Sequence, residues 1–304
     1  MTLRLVADIG GTNTRIALSD DGALRAGTQR SFANDDADSF DSLLQSYLAA
    51  TGAQPREIAV AVAGPVRGDA ARLTNRPWDF DTRSLERLSG AERAVLLNDL
   101  SALGHAVPTL PREHLRLIRN GSGQPGGQPQ RLVVGLGTGF NVSPVAETSH
   151  GVICPAAEAG HISMPGRVTE VLAASGMDAA QYPTVETLFS GRGFAGFCAR
   201  RLGVAVPDGR RVIDAYARDA DARTVVDDYS ALLGWLMRDL TLSYMALSGI
   251  YIAGGVGRAV TVCAPEACAD VLHLPCPIRK EVTPPLWSIE EDSAALHGCA
   301  RYPF

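Results

Sequence analysis

The chain has 304 residues, 46% of them hydrophobic and 20% charged, with a formal net charge of −5 at pH 7. That length holds two core-bearing domains or one large α/β domain, and the composition leaves little room for extended disorder. The most basic clusters are Arg200-Arg201 and Arg210-Arg211, too small for a nucleic-acid face, and no apolar run nears the roughly 18 residues of a membrane span.

Leu3 to Asp8 reads as a buried strand closed by Gly10-Gly11, and Thr14 to Leu18 as a returning strand. Phe40 to Leu48 carries apolar residues at helical spacing and ends at Gly52. Ile58 to Ala63 and Ala94 to Leu97 are continuous apolar runs, which suit strands covered on both faces of a mixed or parallel sheet. Asn120 to Gln130, rich in Gly, Gln and Pro, predicts a surface loop or a connection into a second domain. Arg131 to Leu136 is again a strand before a glycine turn. Val6 to Leu18 and Val133 to Val145 thus share one pattern of apolar strand, Gly/Thr turn and returning strand. Two related lobes explain the repeat, and so do two unrelated glycine-turn hairpins. From Val168 the chain is largely helical, with Asp227 to Leu247 the longest stretch, a short strand at Ile250 to Ala253 and a terminal helix at Glu291 to His297.

The N-terminal residues lack the pattern of a secretory signal, so a cytoplasmic location is expected. The six cysteines form no C-x-x-C pair and read as free, mostly buried thiols.

Three groups of residues carry chemistry. In Asp8-Ile9-Gly10-Gly11-Thr12-Asn13, paired glycines after a strand let backbone N–H groups approach an anion, and Asp8 is suited to hold a water of a Mg²⁺ shell. Gly137-Thr138-Gly139 supplies a comparable turn, and two such turns facing a cleft grip the β- and γ-phosphates of a nucleotide. Neither a P-loop nor a Rossmann fingerprint occurs. Asp99, after the Ala94 to Leu97 run, is placed either to accept a proton from a hydroxyl attacking phosphorus or to cap a helix over Leu100 to Ala106. Glu158, His161 and Glu186 can bind vicinal hydroxyls, since a carboxylate accepts from two O–H groups and an imidazole donates or accepts. Taken singly, each acid reads first as a surface residue, and it is their joint position between the glycine turns and a helical region that favours hydroxyl binding. A metal site lacks the H-E-x-x-H spacing.

In this order the motifs resemble the bacterial glucokinases, within the sugar kinase, Hsp70 and actin superfamily, over nearly the whole chain. Asp8 to Asn13 resembles the first phosphate motif, Gly137-Thr138-Gly139 the second, and Ala253-Gly254-Gly255 the adenosine motif. Asn98-Asp99 resembles the sugar-binding asparagine and the catalytic aspartate. Asn75, in Leu73 to Trp78, falls among the sugar contacts, as do Glu158, His161 and Glu186. The cysteine-rich zinc motif of the repressor-related sugar kinases is absent. The resemblance implies a two-domain α/β fold of the actin-like ATPase (ribonuclease H-like) type with an interdomain cleft. Its small domain would hold residues 1–106 and a terminal helix at about 288–304, and its large domain 107–287. It implies transfer of the γ-phosphoryl group of ATP, with Mg²⁺, to the 6-hydroxyl of glucose. A homodimer is common among similar enzymes.

The chain also departs from the family. Phe140-Asn141 follows the second turn where the family has an apolar residue and glycine, so the Asn141 side chain is expected to crowd the phosphate. Glu-Gly-Gly-His becomes Glu158-Ala159-Gly160-His161. The tail after Gly255 is short and carries Pro284-Pro285, which predicts trimmed helices over the adenine. A sugar-binding sensor that transfers phosphate poorly, or a kinase for another hexose or an amino sugar, therefore stand as alternatives.

Overall fold

A computed structural model describes every residue except Met1, Gln124, Pro125, Gln128 and Lys280. Its contacts divide the chain into two compact units, one of Met1–Leu110, His150–Val152 and Glu291–Phe304, the other of Pro111–Ser149 and Ile153–Glu290.

The first unit is built on a sheet of β1 (Leu3–Ile9), β2 (Asn13–Asp20), β3 (Ala23–Leu24), β4 (Arg30–Ala33), β5 (Glu57–Val62) and β9 (Arg93–Asn98). A separate small sheet holds β6 (Val66–Arg67), β7 (Ala70–Arg72) and β8 (Asp79–Asp81). The main order is β3-β2-β1-β5-β9, with β1 antiparallel to β2 and parallel to β5, and β5 parallel to β9. Every residue of β5 is buried, as its unbroken apolar run requires. On one face Leu5, Ile9, Ile58 and Val60 cluster with Phe40, Leu44 and Tyr47 of helix Phe40–Thr51. On the other, the small side chains of Ala59 and Ala61 meet Leu296 and Cys299 of helix Ala294–Arg301 and Ala102 of helix Asp99–Ala106.

The second unit repeats the plan. Its sheet runs β10 (Leu115–Arg119), β15 (Leu286–Ile289), β14 (Ile250–Ala253), β11 (Gln130–Leu136) and β12 (Phe140–Thr148); β13 (Gly151–Ile153), next in chain order, straddles the division between the units. Again a hairpin, β11 with β12, continues into parallel neighbours, β14 and β15. The hairpin similarity between Val6–Leu18 and Val133–Val145 is therefore a repeat of topology. Beneath the sheet, Tyr229 of helix Ala220–Tyr244 sits among Phe189, Phe194 and Phe197, with ring centroids 5.6, 4.7 and 5.4 Å away.

Three boundaries differ from expectation. The long helix starts at Ala220 because Asp219 caps it, accepting from the amides of Asp221 and Ala222, and it ends at Tyr244 before Met245 at φ 48°. The terminal helix begins at Ala294, since Glu291 draws the Ser293 amide into a preceding turn at 2.9 Å. In the expected loop from Asn120 to Gln130, Gln130 already belongs to β11 and Ser122 bridges Thr283, while Gln124, Pro125 and Gln128 lie outside the described residues. All six cysteines are free, four of them buried. No helix among the described residues is long and apolar enough to cross a membrane.

Candidate active site

In the first unit, the turn from Gly10 to Asn13 joins β1 to β2, and its carbonyl oxygens are all held by the protein. Gly10 O accepts from Asn34 Nδ2 at 2.8 Å, and Gly11 O accepts from Arg76 Nε at 2.9 Å. Thr12 O accepts from the Asn34 amide at 2.8 Å, and Asn13 O from the Gly10 amide at 2.9 Å. The amides of Gly11 and Thr12 have no such partner among the described residues. Oxygens tied back and N–H groups left free make a cradle for an anion. Asn34 is fully buried and also accepts from Thr14 Oγ1 at 2.7 Å, so the cradle rests on a satisfied polar network. Asn34 and Arg76 were not among the sequence candidates. They lie 42 residues apart, and no periodicity pairs them.

Asp8 and Asp99 stand at the ends of β1 and β9 beside this turn. Asp8 is buried, and its carboxyl is pushed up to about 7, first by burial, then by the charge of Asp99, against the pull of Arg15. Arg15 Nη1 is 3.5 Å from Asp8 Oδ2, a loose pairing. Burial likewise lifts Asp99 to about 6, with the Leu100 amide pulling it back. The helix that follows takes Asn98 as its cap: Asn98 Oδ1 accepts from the Leu100 amide at 3.0 Å, while Nδ2 donates to Gly64 O at 3.1 Å. Capping therefore falls to Asn98, not to Asp99. Asp99 is the first helical residue, its Oδ1 accepting from the Leu100 amide at 3.0 Å. Asn75 is exposed and lies against the turn, its Nδ2 3.2 Å from where a Cβ on Gly11 would stand.

The second unit builds its turn differently. Gly137 O accepts from the Gly191 amide at 2.8 Å, and Gly139 O accepts from the Gly137 amide at 3.0 Å. The Phe140 amide donates to Glu186 Oε2 at 2.9 Å. Glu186 lies so close that a Cβ on Gly139 would come within 2.5 Å of Oε2, so any side chain there would have to displace the Glu186 carboxylate. Glu186 is thus joined to the second glycine turn as well as being a sugar candidate. Glu158 is exposed, and His161 ends the short 3₁₀ turn Ala159–His161, its amide donating to Glu158 O at 3.2 Å. Ala159 is buried, so the added methyl fits the core, whereas a Cβ on Gly160 would strike Phe140 O. The first of these two positions therefore accepts a side chain and the second does not.

The expectation for Asn141 is overturned. Its Nδ2 donates to Ala157 O at 2.8 Å and to Glu158 Oε2 at 3.1 Å. Its Oδ1 accepts from the amides of Val142 at 2.8 Å and Ala159 at 3.0 Å. Both N–H groups and both lone pairs are used, and none is directed at the phosphate turn.

A cavity of about 520 Å³ opens beside Gly137 and Thr138, of a size that suits a small-molecule ligand. Its walls include Gly191 and Arg192 at the start of helix Gly191–Leu202, and Gly255 and Val256 at the start of helix Gly255–Cys263. Two helix N-termini therefore border it, which favours an anion. Arg192, Asp208 and Arg210 also line it and had no sequence signal. The tail after Gly255 retains helices Gly255–Cys263 and Pro265–Leu272, so the expected trimming does not strip the cavity of that wall.

A family model described as Glucokinase matches residues 5–300. The glucokinase of Ralstonia nicotianae is 33% identical over 280 residues, spanning 83% of this chain and 80% of that protein. Among solved structures, a glucokinase from an Antarctic psychrotroph superposes with a TM-score of 0.82 at 25% identity, covering 99% of this chain and 98% of that one. A ROK family glucokinase from Streptomyces griseus, in complex with glucose and AMPPNP, shares the fold at a TM-score of 0.63 and 18% identity, over 98% of each chain.

Proposed function

The chain belongs to the glucokinase family, and from that premise we propose that it transfers the γ-phosphoryl group of ATP to the 6-hydroxyl of glucose, with Asp99 as general base. The observation that carries this reading is the state of Asp99. Asn98 already caps the helix, so the cap does not need the aspartate. A carboxyl lifted to about 6 is mostly ionised at pH 7 yet basic enough to take a proton.

Asn75, Asn98, Glu158, His161 and Glu186 would bind the sugar hydroxyls. The Gly10-Gly11-Thr12-Asn13 and Gly137-Thr138-Gly139 turns would hold phosphate oxygens on their amides, and the cavity beside Gly254-Gly255 would take the adenosine. As the sugar oxygen bonds to the γ-phosphorus, the bond from that phosphorus to the β,γ-bridging oxygen would break and ADP would leave with that electron pair. The hydroxyl proton would pass to Asp99, and the turns would stabilise the charge that spreads over the phosphoryl oxygens.

Asp8 fits a Mg²⁺ role. It is a buried carboxylate, loosely paired and beside a second acid, and a divalent cation would offset its burial and its repulsion from Asp99. No cluster of three His, Cys, Asp or Glu able to hold a metal occurs among the described residues. Mg²⁺ bound through one or two carboxylates and the nucleotide's phosphates needs none. When bound, Mg²⁺ neutralises charge on the phosphates.

The alternative of a catalytically weak sensor rested on crowding by Asn141 and on the short tail after Gly255. The Asn141 side chain is bonded to Ala157 and Glu158 instead, and helix Gly255–Cys263 still borders the cavity. The proposal includes a cytoplasmic location, with glucose as the preferred hexose. A coupled ADP-release assay with Mg-ATP and a panel of hexoses tests it. Glucose should give the highest turnover. Sugar binding by calorimetry without ADP release from any hexose would replace the kinase with a sensor.

A further inference from the structure

The strand that leaves the second phosphate turn begins with two residues that each hold a candidate sugar ligand. The Phe140 amide holds Glu186, and the Asn141 side chain holds Glu158. The first contact is backbone and available to any residue. The second exists only because residue 141 is an asparagine.

From this geometry we infer that Asn141 is a positioning residue for the sugar site, acting through Glu158. The inference rests on the reading of Glu158 as a sugar ligand. The Asn141 amide meets the chain as another peptide group would: Nδ2 donates to Ala157 O, and Oδ1 accepts from the Ala159 amide, on either side of Glu158. The backbone is thus pinned before and after the acid, and the second Nδ2 hydrogen fixes Oε2 of the acid itself. Oε1 is left to accept from a hydroxyl. Glu158 is exposed, so without this bracket its carboxylate would sample several rotamers, and ordering it would oppose sugar binding. Gly160, which cannot carry a side chain against Phe140 O, lets the segment lie this close to the start of β12. A family position that normally holds glycine is here used to fix the sugar-binding acid.

The test is a double-mutant cycle of Asn141→Gly and Glu158→Ala, with KM and kcat measured separately for glucose and ATP. Binding of ADP to each variant, measured by calorimetry, reports that the second unit is folded. Asn141→Gly should raise the glucose KM on the order of tenfold, as loss of one or two hydrogen bonds would, and leave the ATP KM within about twofold. In the Glu158→Ala background the same change should alter the glucose KM by less than about twofold. A lower ATP KM in Asn141→Gly, with glucose unaffected, would overturn the inference and restore crowding of the phosphate. An undiminished glucose effect in the Glu158→Ala background would also overturn it. If Glu158→Ala leaves glucose binding unchanged, the assignment of Glu158 as a sugar ligand fails first, and the role of Asn141 fails with it.

Discussion

The two glycine turns of this protein share a topology and differ in what surrounds them. Each joins an inner strand to an antiparallel partner, turns its carbonyls inward and leaves amides for an anion. In the first unit two of the four oxygens are held by distant side chains, Asn34 and Arg76, and the other two by backbone amides, and the turn stands beside two acids with raised pKa. In the second they are held by backbone, the Gly191 and Gly137 amides, and the turn opens on a cavity bordered by two helix N-termini. The comparison teaches that one repeated hairpin acquires different surroundings by packing: acids stand beside the first turn and a cavity beside the second. In the function proposed above, the first would serve the acceptor and the second the donor.

The largest effect should come from removing the acid that distinguishes the first turn. Asp99→Asn keeps the shape and should lower kcat by at least about 100-fold, roughly 3 kcal/mol at the transition state, with sugar affinity changed only modestly. Stability should move the other way. The fold raises Asp8 and Asp99 above their ordinary value of 3.8, so the stability they contribute is fully present below that pH and is lost as pH rises through about 6 and about 7. Asp99→Asn lacks its share of that loss, so its Tm at pH 8 should equal or exceed the wild type's. Kinetics with calorimetric sugar titration, and melting at pH 5 and pH 8, check both halves.

Breaking the side-chain support of the first turn should cost less. Asn34→Ala leaves Gly10 O and Thr14 Oγ1 without their partner. It should reduce kcat/KM for ATP by about thirtyfold, the equivalent of roughly 2 kcal/mol. ADP binding, which the account assigns to the second unit, should stay within about threefold in the same variant. A parallel loss of ADP affinity would erase the division of labour between the turns.

A smaller effect is expected from the second turn. Gly139→Ala forces Glu186 to move, and should raise the KM for ATP and for glucose together, each by about tenfold, because Glu186 touches the turn and is also a sugar ligand in this account. A change in only one KM, seen in initial-rate kinetics, would separate the two roles.

Most of the architecture was legible because it follows from local pattern. The runs Ile58 to Ala63 and Arg131 to Leu136 announce buried strands, found at Glu57–Val62 and Gln130–Leu136, and the paired hairpins are consistent with the repeat. The turns proposed to hold phosphate were legible as glycines after strands. Their supports were not, since Asn34 meets Arg76 and Glu186 meets Phe140 only once the chain has folded. Cavity residues such as Arg192 and Arg210 look like any exposed arginine in sequence. Asn141 stands out in the sequence as a departure from glycine, but the direction of its side chain is not legible there. A side chain on a strand can turn to either neighbour, and hydrogen-bond partners 16 to 18 residues away decide which.

The claim that matters most is that Asp99 takes the proton, and the pH dependence of kcat/KM for glucose tests it most directly. The wild type should lose activity below about pH 6, approaching tenfold per pH unit, as Asp99 becomes protonated in the free enzyme. Asp8, which titrates at about 7, would produce a similar limb by another route, so the profile must be compared with that of Asp99→Asn. The account predicts that this limb disappears in the variant, leaving a slower rate that no longer follows a group near pH 6. An acid limb of unchanged position and slope in Asp99→Asn would contradict it and assign the base to another residue.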